Sequence, residues 1–382
     1  MRGLIKYFLI IFFIANASSQ DKLFTIIDPN QTGIHFSNDL IDTKENNVFL
    51  YANFYGGAGV GVGDFDNDGL DDLFFAGNLV DDKIYKNLGN LKFQDKTPNS
   101  GIINDSSWST GVTVADVNND GLLDIYVSCE LYDDQPKLRT NKLYINKGNF
   151  EFDELAAKWN VDVDRRTRHA VFFDYNKDGL LDLYLLNHPP NTGNFSPFLG
   201  TDMKLPEYNL QLFENKEGFF EDVTAKSGLD RSGFPNAAVI GDFNKDGWPD
   251  IYVANDFEAP DFLYYNNQDG TFDYKTESSL RHTSFYSMGV DAADINNDSH
   301  LDLMVLDMTA EDNFRLKSNM SGMNPDSFWK VVNDGGHYQY MFNTLQLNNG
   351  NETFSDIAQF TQTAATDWSW ASLVADFDND GN

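Results

Sequence analysis

The chain has 382 residues and sets 59 Asp+Glu against 27 Lys+Arg, a formal charge of −32. So large an excess of acid argues against a basic surface for nucleic acid or anionic lipid and points to cations as partners or to a heavily solvated surface. Hydrophobic residues make up 41% and aromatic residues 14%, enough for a large core, and the single Cys129 excludes both a disulfide framework and a Cys-based zinc or iron–sulfur site.

Residues 1–17 read as a secretory signal peptide. Arg2 and Lys6 form a positive start, Tyr7–Ile14 an apolar run, and Ala15-Asn16-Ala17 the small-x-small pattern of a cleavage site. The apolar run falls short of the roughly 20 residues that span a bilayer. The mature chain is therefore expected to be secreted, or to lie in the periplasm or at the cell surface of a bacterium, with no membrane span.

From residue 18 onward one motif recurs. DFDNDGLDD (64–72), DVNNDGLLD (116–124), DYNKDGLLD (174–182), DFNKDGWPD (242–250) and DINNDSHLD (294–302) share the pattern D-x-[DN]-x-D-G-x-x-D, and DFDNDGN (376–382) begins a sixth copy. A short apolar strand precedes each complete loop and another follows it. A hairpin such as KIYKNLGNLKFQDKT (83–97) then closes the unit. Four short strands per unit, none able to bury both faces alone, predict an all-β fold: a β-propeller with the acidic loop between strands one and two of each blade. Blades are expected to start near residues 52, 108, 167, 235, 286 and 368. Residues 23–34 look like the fourth-strand segments 93–102 and 220–229 and are expected to form an orphan outer strand that completes the last blade. With the sixth loop cut at Asn382, residues 18–382 read as an incomplete propeller of five blades and the start of a sixth, unable to close its ring alone.

Asp at loop positions 1, 5 and 9, Asp or Asn at position 3 and the backbone carbonyl of position 7 offer only hard oxygen donors. That donor set suits calcium, and suits zinc or copper poorly. The candidate ligands are Asp64, Asp66, Asp68, Leu70 and Asp72 in the first loop, and Asp116, Asn118, Asp120, Leu122 and Asp124 in the second. The third has Asp174, Asn176, Asp178, Leu180 and Asp182, the fourth Asp242, Asn244, Asp246, Trp248 and Asp250, and the fifth Asp294, Asn296, Asp298, His300 and Asp302. Asp376, Asp378 and Asp380 open the sixth. About one Ca2+ per complete loop is expected. An EF-hand would need Glu at position 12, where these loops have Phe75, Val127, Leu185, Val253 and Val305. Without an ion, the four carboxylates Asp64, Asp66, Asp68 and Asp72 would repel one another strongly. Ser299 stands where the other loops have Gly, which ranks the fifth site weakest.

These loops, with the glycine-rich run 56–63 before Asp64, resemble the FG-GAP/VCBS repeats of integrin α-subunit propellers. The LYxN-type third strands and SMGVDAADINND (287–298) are similar to bacterial cartilage-acidic-protein-like secreted proteins, in which an ASPIC/UnbV-type domain follows the propeller. The resemblance implies seven blades in the full protein and calcium in the loops, and it settles no activity.

In a four-stranded blade the acidic loops share one face with the tight hairpins, and the insertions 130–141, 187–209 and 307–343 gather on the other, the usual place for recognition. Arg165, Arg166, Arg168 and His169 belong to that face. They read either as a contact for an anionic sugar, a carboxylate or an acidic partner, or as charge balance with Asp162 and Asp164. Trp329 and Tyr338 read as sugar-stacking platforms or as ordinary loop packing, with His337 beside them. No HExxH, GxSxG or P-loop occurs, and the 56–63 glycines read as close inner-strand packing. The function expected is a calcium-binding module that adheres to an extracellular protein or glycan. The alternatives are a polysaccharide lyase or hydrolase using the insertion face, and a scaffold for a further C-terminal domain.

Overall fold

Each complete acidic loop joins two antiparallel strands, and each pair extends into a four-stranded meander ordered 1-2-3-4. The computed structural model describes residues 24–51, 53–190, 204–257, 259–319 and 324–377. The expected leader at 1–17 lies outside the described residues. The first sheet comprises Val60–Gly63, Asp72–Phe75, Lys83–Asn87 and Phe93–Asp95. The second comprises Trp108–Ala115, Asp124–Glu130, Lys142–Asn146 and Phe152–Glu154, and the third Thr167–Phe173, Asp182–Asn187, Gln211–Asn215 and Phe220–Asp222. The fourth comprises Pro235–Gly241, Asp250–Asn255, Phe262–Asn266 and Phe272–Tyr274, and the fifth Gly289–Ala293, Asp302–Leu306, Thr344–Asn348 and Phe354–Asp356.

The core lies between sheets rather than within them. Phe74, Ile84, Val127 and Tyr144 join the first sheet to the second, and Tyr126, Leu143, Leu183 and Phe213 join the second to the third. Tyr184, Leu212, Ile251 and Phe262 continue the series, and Tyr252, Leu263, Leu303 and Val305 end it. The first strands of successive sheets touch in chain order. Burying both faces of small sheets against their neighbours in this way is the packing of a propeller-like array. Glycine permits the close approach: a Cβ at Gly59 would stand 2.6 Å from the Val112 nitrogen. Gly59, Gly61 and Gly63 thus serve inner-strand packing, as the sequence implies, whereas Gly56 makes room for the Arg168 guanidinium and Gly57 has open space beside it.

Three expectations need correction. The first inner strand begins at Val60 instead of near 52. Tyr51 and Phe54, upstream of it, instead pack with Trp108 in a small apolar cluster of their own. The expected outer strand at 23–34 is not formed among its described residues: 24–28 have no strand, and Pro29–Thr32 is one helical turn ended by left-handed Gly33. An outer strand needs a third strand to pair with, and those of the five sheets are already paired. The turn nevertheless sits where the repeat puts it. A Cβ on Gly33 would meet the Phe93 carbonyl, as one on Gly101 would meet that of Phe152. Finally, of the expected sixth inner strand only Asp367–Trp368 is β, paired with Met308–Thr309. The rest lies along the fifth sheet, where the Val374 amide donates to Asp291 at 2.7 Å.

Candidate functional site

The five complete loops share one hydrogen-bond plan. Asp at position 1 accepts from the amides of positions 5 and 6: in the second loop Asp116 takes Asp120 at 3.1 Å and Gly121 at 2.8 Å. Asp at position 5 accepts from the amide of position 7, as Asp178 does from Leu180 at 2.9 Å and Asp246 from Trp248 at 2.8 Å. Asn118, Asn176, Asn244 and Asn296 accept the position-5 amide and donate back to the position-5 carboxylate at 2.9–3.1 Å. Positions 4 and 6 are left-handed throughout, with φ of 56–60° at position 4 and 84–87° at the four glycines. Ser299 takes φ 67° and still donates to Asp294 at 2.7 Å, so the fifth loop keeps the shape of the others.

Position 9 does more than the motif reveals. Asp72, Asp124, Asp182, Asp250 and Asp302 are buried. In each, one carboxylate oxygen accepts the amide of loop position 2 and the other accepts the amide of the Asn ending the third strand. Asp124, for example, takes Val117 at 3.0 Å and Asn146 at 2.8 Å. Two acceptor positions per oxygen leave lone pairs for a cation as well. Burial raises the carboxyl of Asp72 to about 6 and those of Asp124, Asp182 and Asp250 to about 7, and it raises that of Asp302 too.

The first loop is the most acidic, and oxygens of Asp64, Asp66 and Asp72 lie within 4.8 Å of one another. One carboxylate oxygen of Asp66 is buried without a hydrogen-bond partner among the described residues. The Lys86 ammonium bonds both Asp66 and Asp68, the latter at 2.6 Å. This contact holds the Asp68 carboxyl below its ordinary range. The motif did not reveal Lys86, because it comes from the third strand, where the other sheets have Ile145, Glu214, Tyr265 and Leu347. Glu214 reaches the third loop, 3.2 Å from the Asn176 amide. Neighbouring loops touch: Asn67 donates to the Gly121 carbonyl at 3.0 Å, and the Lys177 ammonium lies 4.6 Å from the Trp248 ring centre. Asp376 is described at the edge of the sixth loop, whereas Asp378 and Asp380 lie outside the described residues.

The opposite end carries the described parts of the insertions, with residues 191–203 and 320–323 lying outside the described residues, and Arg165, Arg166, Arg168 and His169 lie there at the entry to the third sheet. Two of them are paired, with partners other than the Asp162 and Asp164 that the sequence suggests. Arg166 forms a two-pronged pair with Asp133, at 3.0 and 2.6 Å, and Arg168 bonds the fully buried Glu130 at 2.9 Å. Glu130 also accepts from Tyr51 and lies 2.6 Å from His188 Nε2. Arg165 reaches the Asn209 carbonyl at 3.3 Å. Burial, aided by Arg168, pushes His169 down to about 4. Its ring is therefore neutral at pH 7 and packs beside Gly111 of the next inner strand.

Trp329 and Tyr338 stay exposed on the fifth sheet's insertion, where the helix Pro325–Asn333 carries Phe328 and Trp329 with ring centres 5.1 Å apart. Phe328 stacks on Tyr340 and contacts Tyr338, so the aromatic groups form one continuous patch. Burial lowers His337, whose Nε2 is buried without a partner. Two clefts open on this end between consecutive sheets. One of about 250 Å³ includes Asp82, Asp105 and Lys142, and one of about 570 Å³ includes Arg139, Arg165 and Arg166.

No helix among the described residues is long and apolar enough to cross a membrane. A family model described as the FG-GAP-like repeat matches residues 43–127 and 242–305, which contain the first, second, fourth and fifth loops. Cartilage acidic protein 1 of Xenopus tropicalis is 24% identical over 69% of this chain and 42% of its own length. Integrin alpha pat-2 of Caenorhabditis briggsae is 25% identical over 52% of this chain and 18% of its own. The chain thus spans less than half the length of these relatives. Among solved structures, an Agrocybe aegerita lectin specific for non-reducing terminal N-acetylglucosamine aligns over 78% of this chain and 64% of its own, at 15% identity and a TM-score of 0.42. By repeat and by relatives, this chain carries FG-GAP-like repeats over residues 43–127 and 242–305.

Proposed function

We propose that the chain is an exported, calcium-stabilised propeller that serves as a binding or adhesion module for an extracellular glycan or protein. The observation that carries this reading is the division of the two ends. All five complete acidic loops lie at one end, and the clefts and the exposed aromatic patch lie at the other. The first loop suits a hard cation: its donors are all oxygen, three carboxylates converge, and one Asp66 oxygen is buried without a partner. In each loop the carboxylates of positions 1, 3 (or the Asn oxygen), 5 and 9 and the carbonyl of position 7 would hold it. A bound ion would offset the burial of the position-9 carboxylates and fix the arc of loops, leaving the insertion end free to recognise a partner.

An array of extracellular glycans and matrix proteins, probed with the full chain in calcium, tests this reading. Retention is expected on a restricted set of ligands, and it should be lost on Trp329→Ala with Tyr338→Ala while hairpin substitutions at the loop end leave it intact. Release of products from a polysaccharide would replace the module with an enzyme. Binding that follows the loop-end hairpins instead would put the recognition surface at the wrong end.

A further inference from the structure

We propose that the cleft between the second and third sheets is a binding site for a sugar acid, whose carboxylate docks on Arg166. This rests on the reading of the insertion end as the recognition surface. The Arg166 side chain is 8% exposed. Its Nε and Nη2 are engaged by Asp133, and its guanidinium lies 5.9 Å from the Tyr51 ring centre. Nη1 is buried and has no hydrogen-bond partner among the described residues. Leaving a charged donor unpaired in that setting costs free energy that an incoming acceptor would recover. The guanidinium is held from two sides and lines the cleft, so it is preorganised for an anion that a small local shift would bring onto Nη1.

The surroundings narrow the class of ligand. The cleft, about 570 Å³, lies in the range of small-molecule sites. Around Arg166 it presents Arg139, Arg165 and Tyr208 as donors, and Asp164 and Glu207 as acceptors. Arg139 spends one guanidinium nitrogen on Asp133 at 2.6 Å and another on the Asp164 carbonyl at 2.5 Å. Three arginines face three carboxylates, counting Asp133, so a highly charged phosphate would meet as much repulsion as attraction. A single carboxylate with hydroxyl donors beside it fits both halves of the lining: the acid group takes the arginine, and the hydroxyls donate to Asp164 and Glu207. A uronic acid has that arrangement of groups.

Calorimetric titration of the full chain with a glucuronate-terminated oligosaccharide, its methyl ester and its neutral glucose counterpart tests the assignment. The acid is expected to bind at least tenfold more tightly than the ester or the neutral sugar. Arg166→Lys keeps the charge but cannot reproduce the Nη1 contact or the two-pronged pair with Asp133, so it should remove that tenfold preference and lower the melting temperature. Arg165→Gln, at a half-buried position, should weaken binding in the same direction and covers the case in which the Arg166 variant misfolds. Equal binding of acid and ester, or no binding of either, overturns the site. Glycan retention on the array that ignores both arginine variants leaves the adhesion module standing and overturns this site alone. A peptide C-terminal carboxylate competing as well as the uronate overturns the sugar class.

Discussion

The Asn146 side-chain amide donates to the backbone carbonyl of Phe65, 2.9 Å away and in the preceding unit. Asn215 does the same to Val117, Asn266 to Tyr175 and Asn348 to Phe243, at 2.8–3.0 Å. Each of these residues ends a third strand, and its own amide N–H is held by the position-9 Asp of its own loop. One asparagine thus ties its own acidic loop to the loop before it, and the loops become a mechanically linked series.

Removing that tie should be costly. Asn146→Ala strands the buried Phe65 carbonyl and removes the bonds to Leu123 and Gly148, an expected loss of about 3 kcal/mol in chemical denaturation. Asn87 heads the series and, among the described residues, its side chain donates to the Asp71 carbonyl alone, at 2.8 Å, so Asn87→Ala should cost about 1 kcal/mol. Equal losses would show that the contact between units contributes nothing.

Lys86 should compete with a cation for the first loop, since it neutralises Asp66 and Asp68 from within. Lys86→Met, which keeps most of the stem, is expected to tighten one calcium site by about tenfold in a chelator-competition titration, or roughly 1.4 kcal/mol. The same change made with Asp66→Asn should show no such gain. If Lys86→Met leaves every site as it was, the ammonium does not occupy the ion's place.

Ser299 adopts a backbone conformation that a side chain disfavours. Ser299→Gly should therefore stabilise the chain by about 1 kcal/mol, because relief of left-handed strain exceeds the added chain entropy. Thermal unfolding in calcium reads this out, and a loss of stability would contradict it.

The pH dependence follows from the direction of the shifts. Without metal, Asp124, Asp182 and Asp250 titrate near 7 in the folded chain and near 3.9 when unfolded. The folded state thus holds protons that the unfolded state has released, and stability falls as pH rises through that interval. Asp256 and Asp261, buried outside the loops and also raised to about 7, and Asp82 and Asp307, raised to about 6, add to the slope. His169 and His337, both lowered by burial, oppose it below about pH 6.5, where the unfolded chain binds their protons, but the carboxylates outnumber them. For Glu130, burial pushes upward, but Arg168 and His188 outweigh it and hold the carboxyl below its ordinary range. Its contribution is complete above about pH 4.3 and is lost only as pH falls through its folded value, outside this window. The melting temperature of the metal-free chain should fall from pH 5 to pH 7.5. Calcium should shrink the fall and leave the part due to Asp82, Asp256, Asp261 and Asp307. A metal-free melting temperature that rises across this range would contradict the assignment.

What could be read in the sequence was what is local. The Asp, Asn and Gly spacing specifies a turn within nine residues, and the alternation around it specifies two strands, so the five loops and their four-stranded sheets stand where the repeat implies, except that the first sheet begins at Val60. Residues whose partners lie far along the chain were not legible. Arg166 pairs with Asp133 rather than with its neighbours Asp162 and Asp164, and Lys86 enters the first loop from a different strand. The segment 23–34 carries outer-strand chemistry, yet a strand needs a partner, and the described residues supply none. The recurring Asn of the third strands was visible as a pattern, but its bond across units belongs to the stacking of sheets.

Thermal unfolding of the full chain in excess calcium and in chelator, with ion stoichiometry by native mass spectrometry, tests the calcium-stabilised propeller most directly. Calcium should raise the melting temperature by at least about 5 °C, with about one ion bound per complete loop. Superimposable melting curves in calcium and chelator, with no ion retained, would contradict it.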